Sequence, residues 1–115
     1  MIRWMAAALF LGLCACAPGV DTPASSGATA ASACAAQGGR IERVGRAQTE
    51  QCVIPFADAG RACTDGAQCS SGNCIGAVDA AGQSNVSGQC QASNMRFGCY
   101  TRVVNGRAEA AICVD

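Results

Sequence analysis

The sequence predicts a small disulfide-rich fold, mostly β hairpins and irregular loops, with one short N-terminal helix. Three observations predict it. Ten of the 115 residues are cysteine, the density of an exported, stapled scaffold. Beyond residue 33, large apolar side chains fall below about one in five, too few to fold on burial alone. And Asn105-Gly106 stands between two alternating runs, the strongest short-range hairpin signal. The 50% hydrophobic fraction misleads. Alanine inflates it, and Leu9, Leu11, Leu13 and Trp4 all sit in the first turns of sequence.

Residues 1–15 read as a signal peptide. One charge, Arg3, precedes the apolar run Met5 to Leu13, about half the roughly 18 residues a spanning helix needs. Leu13-Cys14-Ala15-Cys16 then resembles the lipobox of bacterial lipoproteins: a leucine, two small residues, and the cysteine that is lipidated and becomes the new N-terminus. The resemblance implies lipid on Cys16. Reading the box two residues earlier, as Leu11-Gly12-Leu13-Cys14, sets bulky Leu13 beside the scissile bond, and ordinary cleavage after Ala17 sets Pro18 first in the mature chain. Parity agrees. With Cys14 removed and Cys16 lipidated, eight cysteines remain: Cys34, Cys52, Cys63, Cys69, Cys74, Cys90, Cys99 and Cys113. Lipid on Cys14 instead leaves one thiol over.

Residues 16–33 read as a flexible tether of small residues with one charge, Asp21. As a coil such a segment reaches roughly 20–25 Å. Residues 34–115 form the stapled domain. Ser32 is positioned to cap a short alanine-rich helix carrying Cys34, stopped by Gly38-Gly39. Arg40 to Val44 and Thr49 to Ile54 read as two strands around Gly45-Arg46-Ala47-Gln48. Pro55 ends the pairing, and Asp58-Ala59-Gly60 is a turn. From Cys63 to Cys90 the composition predicts irregular loops.

The C-terminal segment is the most sharply patterned. A two-residue Asn105-Gly106 turn pairs 104 with 107 and 102 with 109, giving an apolar face that includes Val103, Thr101, Cys99, Phe97, Ala108, Ile112 and Val114. Arg102 then opposes Glu109 on the polar face. This register separates Cys99 from Cys113, whereas a bulged three-residue loop brings them to one face. The alternation favours the first.

The cysteines read as bridges. Their spacings contain no Cys-x-x-Cys, so the usual zinc and redox patterns are absent, and neither metal nor cofactor is expected. Eight cysteines allow 105 pairings, and the sequence chooses none.

Two stretches resemble known families. Cys34-Ala35-Ala36-Gln37-Gly38-Gly39 with Glu50-Gln51-Cys52-Val53-Ile54-Pro55 and Cys63 resembles a small cysteine-rich bacterial domain of unknown function, found in exported lipoproteins labelled haemolysins. Gly60 to Cys74, with Cys63, Cys69 and Cys74, is similar to cysteine-rich repeats of exported bacterial proteins and to the dickkopf-type region. The chain as a whole resembles small cysteine-rich bacterial lipoproteins that end in a Gly-Cys…Cys-Val-Asp hairpin. None of these implies an activity.

Function follows by exclusion. There is no histidine, and all eight basic residues are arginine, so no group titrating near neutrality is present to activate a nucleophile. An enzyme is not expected; the one carboxylate pair to consider is Glu42 with Glu50. A formal net charge of zero offers no basic stripe for nucleic acid. Arg40, Arg43 and Arg46 form at most a local basic ridge. The expectation is an exported, lipid-anchored protein of the bacterial cell envelope, held at the outer membrane through Cys16 and facing periplasm or surface. It serves as a non-catalytic binding or structural module for an envelope protein or glycan. The alternative is a stapled inhibitor of an extracytoplasmic serine protease, presenting Arg61-Ala62 beside Cys63.

Overall fold

The computed structural model describes residues 25–115. The expected signal peptide, Cys16 and the first part of the expected 16–33 tether lie outside the described residues.

Helix α1 runs Ser25–Ala36. It begins well before Ser32, so the second half of the expected coil is helical; a run this rich in alanine favours helix without needing a buried face. Its end is as expected. Gly38 adopts φ +78°, the Gly39 N–H donates to the Cys34 carbonyl at 3.0 Å, and the Gly38 N–H donates to Ala35 at 2.9 Å. That is a Schellman closure, which favours glycine at the left-handed position. Gly39 is constrained differently: a Cβ there would stand 2.8 Å from the Val53 carbonyl oxygen and 3.0 Å from the Cys34 sulfur. The helix end therefore lies directly on the first hairpin. The Cys34–Cys52 bridge fastens them together.

That hairpin, of the two expected strands, pairs β1 (Arg40–Val44) with β2 (Thr49–Val53) antiparallel, Val44 opposite Thr49. Gly45 and Gln48 take positive φ in the four-residue loop. Beyond Pro55, Asn94 clamps the hairpin to the rest. Its side chain accepts from the Ile54 N–H at 2.8 Å and donates to the Cys52 carbonyl at 3.1 Å. The Phe97 ring packs on Gly45, where a Cβ would meet it at 2.8 Å.

The 63–90 stretch is not simply irregular. It contributes β3 (Ala62–Cys63), β4 (Cys74–Gly76) and β5 (Gly88–Cys90), with 3₁₀ turns at Gly66–Gln68 and Val78–Ala80 between them. With β6 (Gly98–Val104) and β7 (Arg107–Ala108) they form an antiparallel sheet ordered β3-β5-β4-β6-β7. Strands of two or three residues, flanked by glycine and serine, carry no alternation to read. The bridges hold them in register.

The last hairpin combines both alternatives. At the tip, Asn105 and Gly106 both have positive φ, and Val104 pairs with Arg107 and Val103 with Ala108. At the base, β8 (Ile112–Val114) pairs with β6 one residue out of that step: Tyr100 with Ile112 and Cys99 with Cys113. Between the two, the Glu109 N–H still donates to Arg102. Ala110 and Ala111 together therefore oppose Thr101, a β-bulge. The single two-residue register expected along the whole hairpin is corrected. Cys99 and Cys113 are cross-strand neighbours with Cα atoms 4.0 Å apart, and they are bonded. Nor is the expected apolar face buried throughout: Val103, Thr101 and Ala108 are, while Cys99 is exposed and Phe97 and Val114 are 36% exposed.

All eight cysteines of the domain are paired: Cys34–Cys52, Cys63–Cys74, Cys69–Cys90 and Cys99–Cys113. Among the described residues the buried apolar side chains are Cys34, Cys63, Cys69, Cys74, Cys90, Val103 and Ala108. The core is largely sulfur. Buried Thr101 is satisfied, its hydroxyl donating to the Ala77 carbonyl at 3.2 Å.

Candidate functional site

The residues singled out in the sequence are mostly occupied with one another. Glu42 opposes Gln51 while Arg43 opposes Glu50, so Glu42 and Glu50 occupy consecutive rungs and point to opposite faces. Glu42 pairs with Arg40, and Glu50 lies 3.8 Å from Arg43. The carboxylate pair is not assembled. Nor is the basic ridge, since Arg40 and Arg43 are matched by those glutamates and Arg46 lies 3.7 Å from Asp115.

Arg61 is likewise held. It donates to the Gln68 carbonyl and sits 3.6 Å from Asp58. Its backbone N–H donates to Asp58 and its carbonyl accepts from the Cys90 N–H at 2.8 Å. The Arg61-Ala62 peptide thus leads into a paired strand, with both residues exposed. Asp58 in turn accepts from the Ser70 hydroxyl and N–H. These bonds, the Ser70 hydroxyl first, with the nearby Arg61 charge adding to them, hold its carboxyl below the ordinary value. Asp65 is lowered the same way, by the N–H groups of Ala67 and Asn105. Both carboxylates fasten loops.

The sulfur atoms of Cys63, Cys69 and Cys90 lie within 4.8 Å of one another. Each is committed to a disulfide, and a metal ligand must be a free thiolate. In the oxidised protein this cluster is structural.

What the sequence did not reveal is a groove of about 550 Å³ across the outer face of the main sheet. This is within the range of small-ligand sites. Its floor is β4 and β5, from Ile75 to Ala77 and from Ser87 to Gln91, and Gly60 and Ala62 form one wall. Ala92 and Arg96 form the other. Gly76 and Gly88 have no room for a side chain. A Cβ at Gly88 would meet the Ile75 carbonyl oxygen at 2.4 Å, and one at Gly76 would meet the Thr101 hydroxyl at 2.6 Å.

Arg96 is the unusual member. Its guanidinium lies over the Tyr100 ring, 4.6 Å from the centroid. Among the described residues its Nε is buried with no hydrogen-bond partner and no carboxylate pairs with it; Arg40, Arg43, Arg46, Arg61 and Arg102 each have one, and Arg107 bonds the Ser84 hydroxyl instead. The sequence held one clue to this. No acidic residue occurs between Asp79 and Glu109, and Glu109 is taken by Arg102 at 3.1 Å. Two smaller hollows, of about 390 and 200 Å³, flank the first hairpin. Their charged lining residues belong to the neutralised pairs Arg40 with Glu42 and Arg46 with Asp115.

No family model, no curated protein and no solved structure matches the chain.

Proposed function

We propose that the chain is an exported lipoprotein of the bacterial cell envelope whose stapled domain is a non-catalytic binding module. The observation that carries the reading is the closed pairing of all eight cysteines from Cys34 onward. A domain whose buried core is mostly disulfide sulfur belongs to an oxidising compartment. Its even parity frees Cys16, in its lipobox-like setting, for lipid. Among the described residues no helix is long and apolar enough to cross a membrane, so the lipid on Cys16 is the proposed attachment.

Binding is the proposed role because the domain offers a groove but no assembled acid–base pair. Loops fixed at both ends lose little freedom when a ligand arrives. The test of attachment is palmitate labelling in a bacterial host: wild type incorporates lipid and sediments with membranes, and Cys16→Ser does neither. Undiminished incorporation in Cys16→Ser would sink the assignment. The role is tested by affinity capture from a membrane fraction with and without reductant. A bound partner lost on reduction is the expected result.

A further inference from the structure

We infer that the groove on the main sheet is a binding site for an acidic saccharide, with Arg96 receiving the sugar carboxylate. The inference rests on the binding-module reading and names its ligand class.

Charge comes first. Arg96 lines the groove and, among the described residues, has no carboxylate partner, while the other charges around the domain's hollows cancel in pairs. Its seat over the Tyr100 ring, 4.6 Å from the centroid, restrains the guanidinium. A planar fork held in place is suited to two-point recognition of a carboxylate. An unpaired ammonium or hydroxyl donor would not give that geometry.

Shape and hydrogen bonding then favour a sugar over a peptide. An extended peptide gains its main affinity by pairing with a free sheet edge. The floor of this groove is not an edge, because β5 is paired on one side with β3 and on the other with β4. Its backbone groups are already used in the ladder. What it presents instead is a broad floor of small residues such as Ala77 and Gly88, against which a flat ring can lie, with the exposed Gln89 and Ser87 side chains beside it. An amide and a hydroxyl both donate and accept, as sugar hydroxyls do.

The test uses the oxidised full chain purified from an envelope fraction. Tetragalacturonate is titrated against it, alongside a neutral galactose tetramer and poly-glutamate. Expected is tighter binding of the uronate than of either comparator, with amide shifts at Ala77 and Gln89. Arg96→Gln should weaken uronate binding by about ten- to a hundredfold, the value of hydrogen bonds to a charged group, and Arg96→Lys should recover part of it. Arg43→Gln, in the first hairpin, should leave it unchanged. Equal affinity for uronate and neutral sugar, preference for poly-glutamate, or no uronate binding at all each overturns the inference. The uronate-against-neutral comparison on wild type stands even where Arg96→Gln fails to fold. A chain that is lipidated at Cys16 but binds no uronate refutes this ligand class alone; one that binds uronate without lipid refutes only the anchor.

Discussion

Cys74 and Cys90 stand directly opposite each other on β4 and β5, yet neither is bonded to the other. Cys74 reaches back to Cys63 and Cys90 to Cys69, so the two bridges cross in sequence and lie side by side in the core. Serine at Cys63 frees the Cys74 thiol at the one position facing Cys90. We expect Cys74 thiolate to attack the Cys90 sulfur, forming Cys74–Cys90 and releasing Cys69 as the free thiol, over the minutes to hours typical of such exchange. Peptide mapping of Cys63→Ser checks it. Persistence of Cys69–Cys90 with a free Cys74 would show that the core holds its sulfurs too rigidly to exchange.

A core whose main buried side chains are half-cystines has no apolar reserve. Each bridge of this loop length contributes about 3 kcal/mol, and a small domain's whole stability is about 5–15 kcal/mol. Full reduction is therefore expected to unfold residues 34–115, collapsing the amide dispersion. An unchanged amide spectrum in dithiothreitol would falsify this.

Asp65 couples the 64–68 loop to the last hairpin. Its carboxylate accepts from the Ala67 N–H at 2.8 Å and the Asn105 N–H at 2.9 Å, and the Gly106 N–H donates to Thr64. These bonds favour the charged form, so the folded pKa lies below the ordinary 3.8. The resulting stabilisation is present above about pH 4 and is lost as pH falls through the lower folded value. Asp65→Asn should speed exchange of the Asn105 amide above pH 4 and match wild type in stronger acid. A difference that persists unchanged into acid would show that shape, not charge, holds the turn.

The first hairpin and the helix stop were legible because their signals are local: Gly38-Gly39 ends α1, and Pro55 ends β2. The helix start was misplaced because alanine-rich sequence helicises without a marked cap. The middle strands were invisible for a different reason. Cys63, Cys74 and Cys90 are at once the buried positions and the staples, so no hydrophobic alternation surrounds them. Arg96 looked like one of seven balanced arginines in the domain. Only the fold shows that Glu109, the nearest acid in sequence, is spent on Arg102.

Gly88 separates the two jobs of the sheet. Its Cα lies where β5 passes β4 so closely that a Cβ would press on the Ile75 carbonyl at 2.4 Å and the Cys74 sulfur at 3.1 Å. Backbone cannot yield there without breaking the ladder. Gly88→Ala should cost about 1–3 kcal/mol, as overpacking does, and lower the melting temperature by several degrees. Ser87→Ala, exposed on the same strand approach, should leave it within about 0.5 kcal/mol. Equal melting of the two variants would mean that β4 and β5 are free to separate.

The bulge at Ala110 and Ala111 decides whether the last bridge forms. At the tip the register is that of Val104 with Arg107, and continued unbroken it would set Cys99 against Ile112 and turn Cys113 to the other face. One extra residue opposite Thr101 reverses that parity and delivers Cys113 to Cys99. Deleting Ala111 removes the extra residue while leaving the Asn105-Gly106 turn and the Arg102 to Glu109 pair intact. The deletion moves the former Cys113 one place back, to where the unbroken tip register faces Cys99, so the variant should keep all four bridges and show no free thiol. The whole pattern is read by mass mapping after alkylation without reductant. Two free thiols, at Cys99 and at the former Cys113, would mean that the base of the hairpin does not follow the tip register, and the Asn105-Gly106 turn would then not be what sets the hairpin.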